Sequence, residues 1–410
     1  MVRAYLCNLT HVAGFSRDPL TWTAYVVLGW FAYLQAAPGL VVPHLRRELE
    51  LSYGTGGLYV TAFAAGSTLA GVLSARLERG LGRGPLLWSS AALMGAGAIG
   101  LTLGRTTGVT MGSVLVMGLG GGLVLATIQA ALADHHGELR TVALAEANVA
   151  ASCGYLSLVG MLALTSELGA NWRAPLLASL AVPALTWWHG RKLSIAASPP
   201  PRGSQGDRLR LPASFWVAAA IVVCTTAVEW SVTAWGATLV QESTQVSADT
   251  AISLMACYFG GFLAGRVLGS RLAARHDPTR LLGWALAATA AGFAVVWLSV
   301  EPAQSAPGLA LLGMGIGNLF PMAVAAAVAV APEQAGKVSG RVVAASAGAV
   351  LFAPLTVGVL ADATSLKSAL ILVPILLVLS AACLVALHRS LAAHCRTSTP
   401  LCPTPKRFLP

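Results

Sequence analysis

A single carboxylate, Glu229, stands midway along the run SFWVAAAIVVCTTAVEWSVTAWGATLV, residues 214–240. An ionised side chain at the centre of a bilayer costs on the order of 3 kcal/mol, so the group needs water, a partner or a proton. Three, four and seven helical positions away stand Thr225, Thr226, Thr233 and Gly236, which share one polar or small face with it. Val222, Val223, Ala227 and Ala234 are assigned to the other faces. Two chemistries fit such a group. It can load and release a proton or meet a cationic or hydroxyl-bearing ligand, or it can stay protonated in an interhelical hydrogen bond that fixes packing.

Other polar side chains lie at comparable depth. Gln35, in FAYLQAAPG, precedes Glu229 by 194 positions, and Pro38 and Gly39 after it loosen the helix. Asn318 sits one turn before Pro321. Trp30, Trp230 and Trp235 offer rings that stack on a solute or pack between helices. The glycine clusters at 118–122 and 313–317 lack the preceding strand of a dinucleotide fingerprint and fit close helix contacts instead. DHHGE, residues 134–138, has metal-ligand types but no further ligand near it, and is expected to be a solvated helix end. Arg140 and Glu146 are expected to pair across one and a half turns. No metal or cofactor is expected.

These residues need elements to hold them. Of 410 residues, 56% are hydrophobic and 10% charged, against roughly 25% charged in soluble proteins. The apolar runs are about 20 residues long, the length that crosses a bilayer as a helix. Twelve spans are predicted, near 21–43, 54–75, 85–104, 108–133, 141–166, 174–190, 214–240, 250–270, 280–300, 305–331, 340–361 and 367–388. The Pro-, Ser- and Arg-rich stretch 191–213 separates an N-terminal six-helix bundle, 1–190, from a C-terminal one, 214–389. Residues 390–410 are expected to be a disordered tail. The first 20 residues hold no continuous apolar core of a signal peptide. Seven scattered cysteines with no CxxC pair argue against a disulfide framework or zinc site.

The net charge of +10 finds its reason in topology. All Lys and Arg except Arg46, Arg47, Arg105, Arg173 and Lys367 fall on the side that carries both termini and the central linker. Basic residues resist translocation, so that side is expected to be cytoplasmic, in the cell (inner) membrane. Nucleic acid is not needed to explain the charge.

The chain also repeats itself. AGVLSARL at 70–77 returns as AGRVLGSRL at 264–272, GLGGGL at 118–123 as GMGIGNL at 313–319, and VAASCG at 149–154 as VAASAG at 343–348. The spacing is 194 or 195 residues each time, and both copies start on the same side, which describes a parallel repeat. Twelve spans, two parallel halves and a long inner linker resemble the major facilitator superfamily of secondary transporters. Its Gly-x-x-x-Asp-Arg-x-Gly-Arg signature is met in part by GVLSARLERGLGR, residues 71–83, where Gly71 and Arg76 match and Ala75 replaces the aspartate. Glu78 is a candidate substitute partner. VLVMGLGG, residues 114–121, lacks the fourth-span arginine of the family's drug exporters, and the fifth span lacks their Gly-Pro motif. The run LRTVALAEANVAASCG, 139–154, is similar to the fucose-permease branch.

The resemblance implies an all-α membrane protein whose two bundles rock about a central site lined by spans one, four, seven and ten. It implies that Glu229, Gln35, Asn318, Trp230, Thr226 and Thr233 bind solute or proton, and that Arg76, Glu78, Arg79, Arg271, Arg140 and Glu146 belong to an inner gate. The expected partners are the lipid bilayer, a small organic solute and protons, with the chain acting as a monomer. A proton-driven efflux pump, a membrane sensor and a membrane-embedded enzyme are the other readings. An enzyme would need convergent acid, base or metal ligands, and only Glu229 and Glu146 qualify.

Overall fold

The computed structural model describes residues 15–191, 193, 195, 212–273, 275–330 and 335–397, and among these every regular element is a helix. The first half contains α1 (Pro19–Leu49), α2 (Tyr53–Leu81), α3 (Arg83–Leu103), α4 (Thr107–His136), α5 (Arg140–Glu167) and α6 in two pieces, Arg173–Ala178 and Ala181–Gly190. The second half contains α7 (Ala213–Thr244), α8 (Ala248–Leu272), α9 (Pro278–Leu298), α10 (Pro302–Val330), α11 (Ala335–Ala363) and α12, also in two pieces, Leu366–Ala369 and Leu372–Thr397. Below, "loop end" means the end of the α1–α2 and α7–α8 turns, and "linker end" the opposite one.

The helix starts follow from side chains that accept the free N–H groups of a first turn. Asp18 caps α1 through the Thr21 amide, with Pro19 at the first helical position. Ser52 does this for α2, Ser247 for α8 and Asp277 for α9. α1 stops at Glu50, whose φ of 52° breaks the helical hydrogen-bond series.

Among the described residues, ten stretches are long and apolar enough to cross a membrane, and one of them, Thr107–Glu167, holds both α4 and α5. Gly137, at φ 53°, sits at the boundary between these two. The sixth span, expected as one run over 174–190, is broken instead. Pro183 has no N–H to give the Ser179 carbonyl, and the chain turns through Val182 N–H to Ser179 O at 3.0 Å. α12 runs to Thr397, past the bundle boundary expected at 389. Most of the expected linker and residues 398–410 lie outside the described residues.

The repeat is visible in the packing. Gly118 of α4 leaves room for the Phe63 carbonyl of α2, and 195 residues later Gly313 of α10 does so for the Tyr258 carbonyl of α8. Gly120 against Ser90 and Met94 matches Gly315 against Ala285 and Thr289. Gly97 against Ser113 and Met117 matches Gly292 against Gly308 and Leu312. The glycine clusters are therefore helix crossings.

Between the halves, α2 lies on α11, α5 on α8 and α1 on α7. At the loop end this junction is a seal. A Cβ on Gly39 would come within 2.8 Å of Thr233 O, one on Gly57 within 2.8 Å of Pro354 O, and one on Gly358 within 2.5 Å of Tyr53 O. Trp235, 1% exposed, packs its ring on Tyr53 and donates to Pro354 O at 2.9 Å. Polar contacts rim it. Asp362 accepts from Tyr53 N at 2.7 Å and Gly54 N at 2.8 Å. Glu242 accepts from Tyr53 Oη at 2.6 Å and meets Arg46 at 3.5 Å, and His44 lies 3.2 Å from Asp249. Exposed ion pairs contribute about 0–1 kcal/mol each, so the close-packed backbones hold the seal and the charges set its register.

Candidate functional site in the centre of the bundle

Glu229 occupies the middle of α7 on the linker side of the seal. It is partly accessible, and among the described residues it has no hydrogen-bond or ion-pair partner. The charge that acts on it is Arg266 of α8. No ion pair joins the two. Arg266 holds its guanidinium 4.5 Å from the Phe262 ring centroid and reaches across to α5, with long hydrogen bonds to Asn148 O at 3.3 Å and Ser152 Oγ at 3.4 Å. Both members of this opposite-charge pair thus keep capacity for a further partner.

Two tyrosines complete the constellation, and each feels both Glu229 and Arg266. Tyr155 of α5 donates to Gln35 Oε1 at 2.6 Å and lies against Phe259 and Phe262, centroids 5.4 and 6.3 Å away. Tyr258 of α8 shares a 3.1 Å hydrogen bond with Thr233 Oγ1. Of the residues expected together from the sequence, Gln35 is thus bonded to Tyr155 and Thr233 to Tyr258, while Glu229 is bonded to neither tyrosine. The Thr226 hydroxyl is buried without a partner. Trp230 is partly buried against the apolar core.

Three other residues are engaged in contacts between helices. Asn318 donates to Gly265 O at 2.8 Å and Met314 O at 3.1 Å, bracing α10 against α8. Trp30 donates to Ser179 Oγ at 3.3 Å, beside the α6 break, and Trp235 belongs to the seal.

At the linker end, Glu146 pairs with Arg17 through 2.6 and 2.9 Å bonds and accepts from Tyr25 at 3.1 Å. The expected Arg140–Glu146 pair is not formed. Arg140 is exposed, whereas Arg17 approaches from the start of α1 and presents a two-pronged fork to the carboxylate. Glu78 does find an arginine, Arg83 at 2.6 Å, which also holds Asp134 at 2.6 Å. Arg83 is 6% exposed and ties the α2–α3 turn to α4. Arg76 and Arg79 are exposed on α2, and Arg271 is exposed on α8. The histidines of DHHGE are tied to the start of α1. His135 lies 2.8 Å from Asp18, and His136 lies 2.8 Å from Thr21. No three-residue group of potential metal ligands exists among the described residues.

The sequence matches the description Major Facilitator Superfamily over residues 21–242 and again over 217–400. The chain belongs to the major facilitator superfamily. Superfamily members of known structure share its fold. A bacterial homolog to the human lysosomal transporter Spinster, inward-facing and unoccupied, superimposes with a TM-score of 0.71 at 13% identity, covering 92% of this chain and 99% of that one. A D-xylose-proton symporter gives 0.72 at 16%, covering 89% and 96%. The D323A mutant of the nucleoside transporter NupG gives 0.70 at 11%, covering 90% and 99%. No curated relative matches in sequence. The superfamily chain is thus a multi-pass membrane protein and a secondary transporter of small solutes, not an enzyme.

Of this transporter's central groups, Arg266, Tyr155 and Tyr258 escaped the sequence reading. Arg266 was hidden inside the repeated AGRVLGSRL string, where it counts as a flanking charge. Its place within the predicted span 250–270, about one turn from the end, was the available signal. Tyr155 and Tyr258 carried none, because tyrosine is ordinary at any depth.

Proposed function

We propose that this chain carries a small organic solute across the cell membrane by alternating access, coupled to protons through Glu229. The observation that carries the reading is the unpartnered, partly accessible carboxylate facing an arginine that is only loosely held. A proton on Glu229 leaves Arg266 as the dominant charge and favours an anionic or hydroxyl-bearing group on the solute. Loss of the proton restores the opposite-charge pair and weakens that hold. Binding of proton and solute are then linked, as thermodynamic reciprocity requires.

Tyr155, Tyr258, Phe259 and Phe262 offer ring faces for an apolar or cyclic body, while Gln35, Thr226 and Thr233 offer hydrogen bonds. The close backbone contacts between the halves gather at the loop end, which supports a site reached from the linker end. The excess of Lys and Arg at that end supports a cytoplasmic placement. Alternation breaks the loop-end seal and closes α5 and α8 around Arg266.

The test is uptake of a solute panel into proteoliposomes with and without an imposed pH gradient. The parent should accumulate its solute only with the gradient. Glu229→Gln should retain solute exchange and lose gradient-driven accumulation. Full accumulation by Glu229→Gln would remove the carboxylate from coupling.

A further inference from the structure

α3 and α6 leave a cleft between them on the outer surface of the N-terminal bundle. It encloses about 420 Å³ and is walled by Ala92, Gly95, Ala96 and Ile99 on α3 and by Pro183 and Trp187 on α6. The break in α6 lies beside it, with Leu180 and Pro183 both on its wall. Ala92, Ala96 and Trp187 are exposed, so the cleft faces the hydrocarbon. Water has no polar partner to hold it there, and an empty groove forfeits dispersion contacts on one side.

The cleft has a polar end. Trp88 packs near Gly190, 3.5 Å from where a Cβ would stand. The next residue, Arg191, lays its guanidinium 4.3 Å from the Trp188 ring centroid and 5.6 Å from that of Trp187. Arg191 is exposed and has no carboxylate partner among the described residues. From Trp88 to Ile99 the helix rises about 16 Å, half the hydrocarbon thickness, so the cleft reaches from one interface to the middle of the bilayer. Indoles at the boundary and a cation just beyond match the layered chemistry of a lipid leaflet.

We propose that the α3–α6 cleft binds one acyl chain of an anionic phospholipid, with Arg191 on the phosphate. The chain packs on Ala92, Gly95 and Ala96 beneath the Trp187 ring, and the headgroup lies at the linker end. The ligand is distinct from the transported solute, and the site lies outside the central cavity.

Native mass spectrometry of the full-length protein, delipidated in detergent and titrated with phosphatidylglycerol, phosphatidylcholine or glycerol 3-phosphate, tests this. Phosphatidylglycerol should be retained about fivefold more strongly than phosphatidylcholine, the preference expected of one interfacial cation, and glycerol 3-phosphate should not bind. Arg191→Gln should erase the preference between the two lipids. Ala92→Trp and, independently, Ala96→Phe should fill the cleft and remove the tightest-bound lipid, with lipid-free melting temperatures matching the parent to show that the fold survives. Equal retention of the two lipids by the parent, unchanged retention in a cleft-filling variant that melts normally, or loss of a dimer in place of loss of a lipid would overturn the assignment.

Discussion

Asp362, near the end of α11, accepts hydrogen bonds from the backbone amides of Tyr53 at 2.7 Å and Gly54 at 2.8 Å, the first residues of α2 in the opposite bundle. A helix start is thus capped by a carboxylate from the other half of the molecule. The dipole of α2 reinforces the contact, since a negative group is favoured at a helix N-terminus. Such a cap exists only while the loop end is closed.

Weakening that closure should shift the balance between the two access states. Asp362→Ala removes the cap, and Gly358→Val places a side chain where the Tyr53 carbonyl now lies. Both are expected to open the loop end, the valine more completely. Spin labels at Leu51 and Thr364, read by pulsed electron resonance, should show a longer distance becoming the major population. An unchanged distance distribution in both variants would mean that the seal is not a moving part.

Arg266 should matter to transport more than to stability. Its contacts are long hydrogen bonds and a ring face, so Arg266→Ala is expected to shift the melting temperature by only a few degrees. Solute flux should fall by about tenfold or more, the scale of one lost charge-assisted contact. Arg266→Lys keeps the charge without the planar fork and should recover only part of the flux. Proteoliposome uptake beside a thermal melt in detergent separates the two effects.

The crossing glycines make the opposite prediction. Gly118→Val and Gly313→Val drive a side chain into a neighbouring helix backbone, which should cost about 1–3 kcal/mol as overpacking. Gly160→Ala meets nothing within 4 Å and should stabilise α5 by up to about 1 kcal/mol, because alanine is the better helix former. Melting temperatures of the three variants test the contrast. Similar losses in all three would contradict the packing.

Asp277 supplies the pH dependence that can be signed. The hydrogen bond from the Thr279 hydroxyl, helped by the Thr279 and Arg280 amides against partial desolvation, holds its carboxyl below the ordinary value of 3.8. A depressed carboxylate contributes stability that is fully present above the unfolded-state value and fades as pH falls through the folded one. The cap on α9 should therefore be intact at neutral pH and begin to fade only below about pH 4. Asp277→Ala should cost about 1 kcal/mol at pH 7, a cost that shrinks as pH falls below about 4, as measured by melts across that range.

Much of this architecture could be read from the residues because bilayer physics leaves few options. Span length, the excess of Lys and Arg at one end and the recurrence of GLGGGL as GMGIGNL together specified twelve helices in two parallel halves. Glu229 announced itself because a carboxylate in oil demands an explanation. Other features depend on distances that no string displays. Arg17, in sequence remote from Glu146, outcompetes the nearby Arg140 because the helices bring it there with a forked geometry. Asn318 looked like Gln35 on paper, yet Asn318 braces α10 on Gly265 while Gln35 meets Tyr155. The break in α6 was signalled by Pro183, but proline inside an apolar run bends some helices and divides others. Here α10 continues through Pro307 and Pro321.

The polar rim of the seal is one-sided. Its carboxylates, Glu242, Asp249 and Asp362, belong to the C-terminal bundle, and the groups that meet them, Arg46, His44, the Tyr53 hydroxyl and the Tyr53 and Gly54 amides, belong to the N-terminal one. Around the central site the polarity reverses, since Arg266 of the second half donates to Asn148 and Ser152 of the first. Two duplicated bodies that remain alike in their internal crossings have thus become complementary where they touch. Synthesised as two unlinked polypeptides, they would carry enough directional information to find each other as an unlike pair in preference to pairing with their own copies.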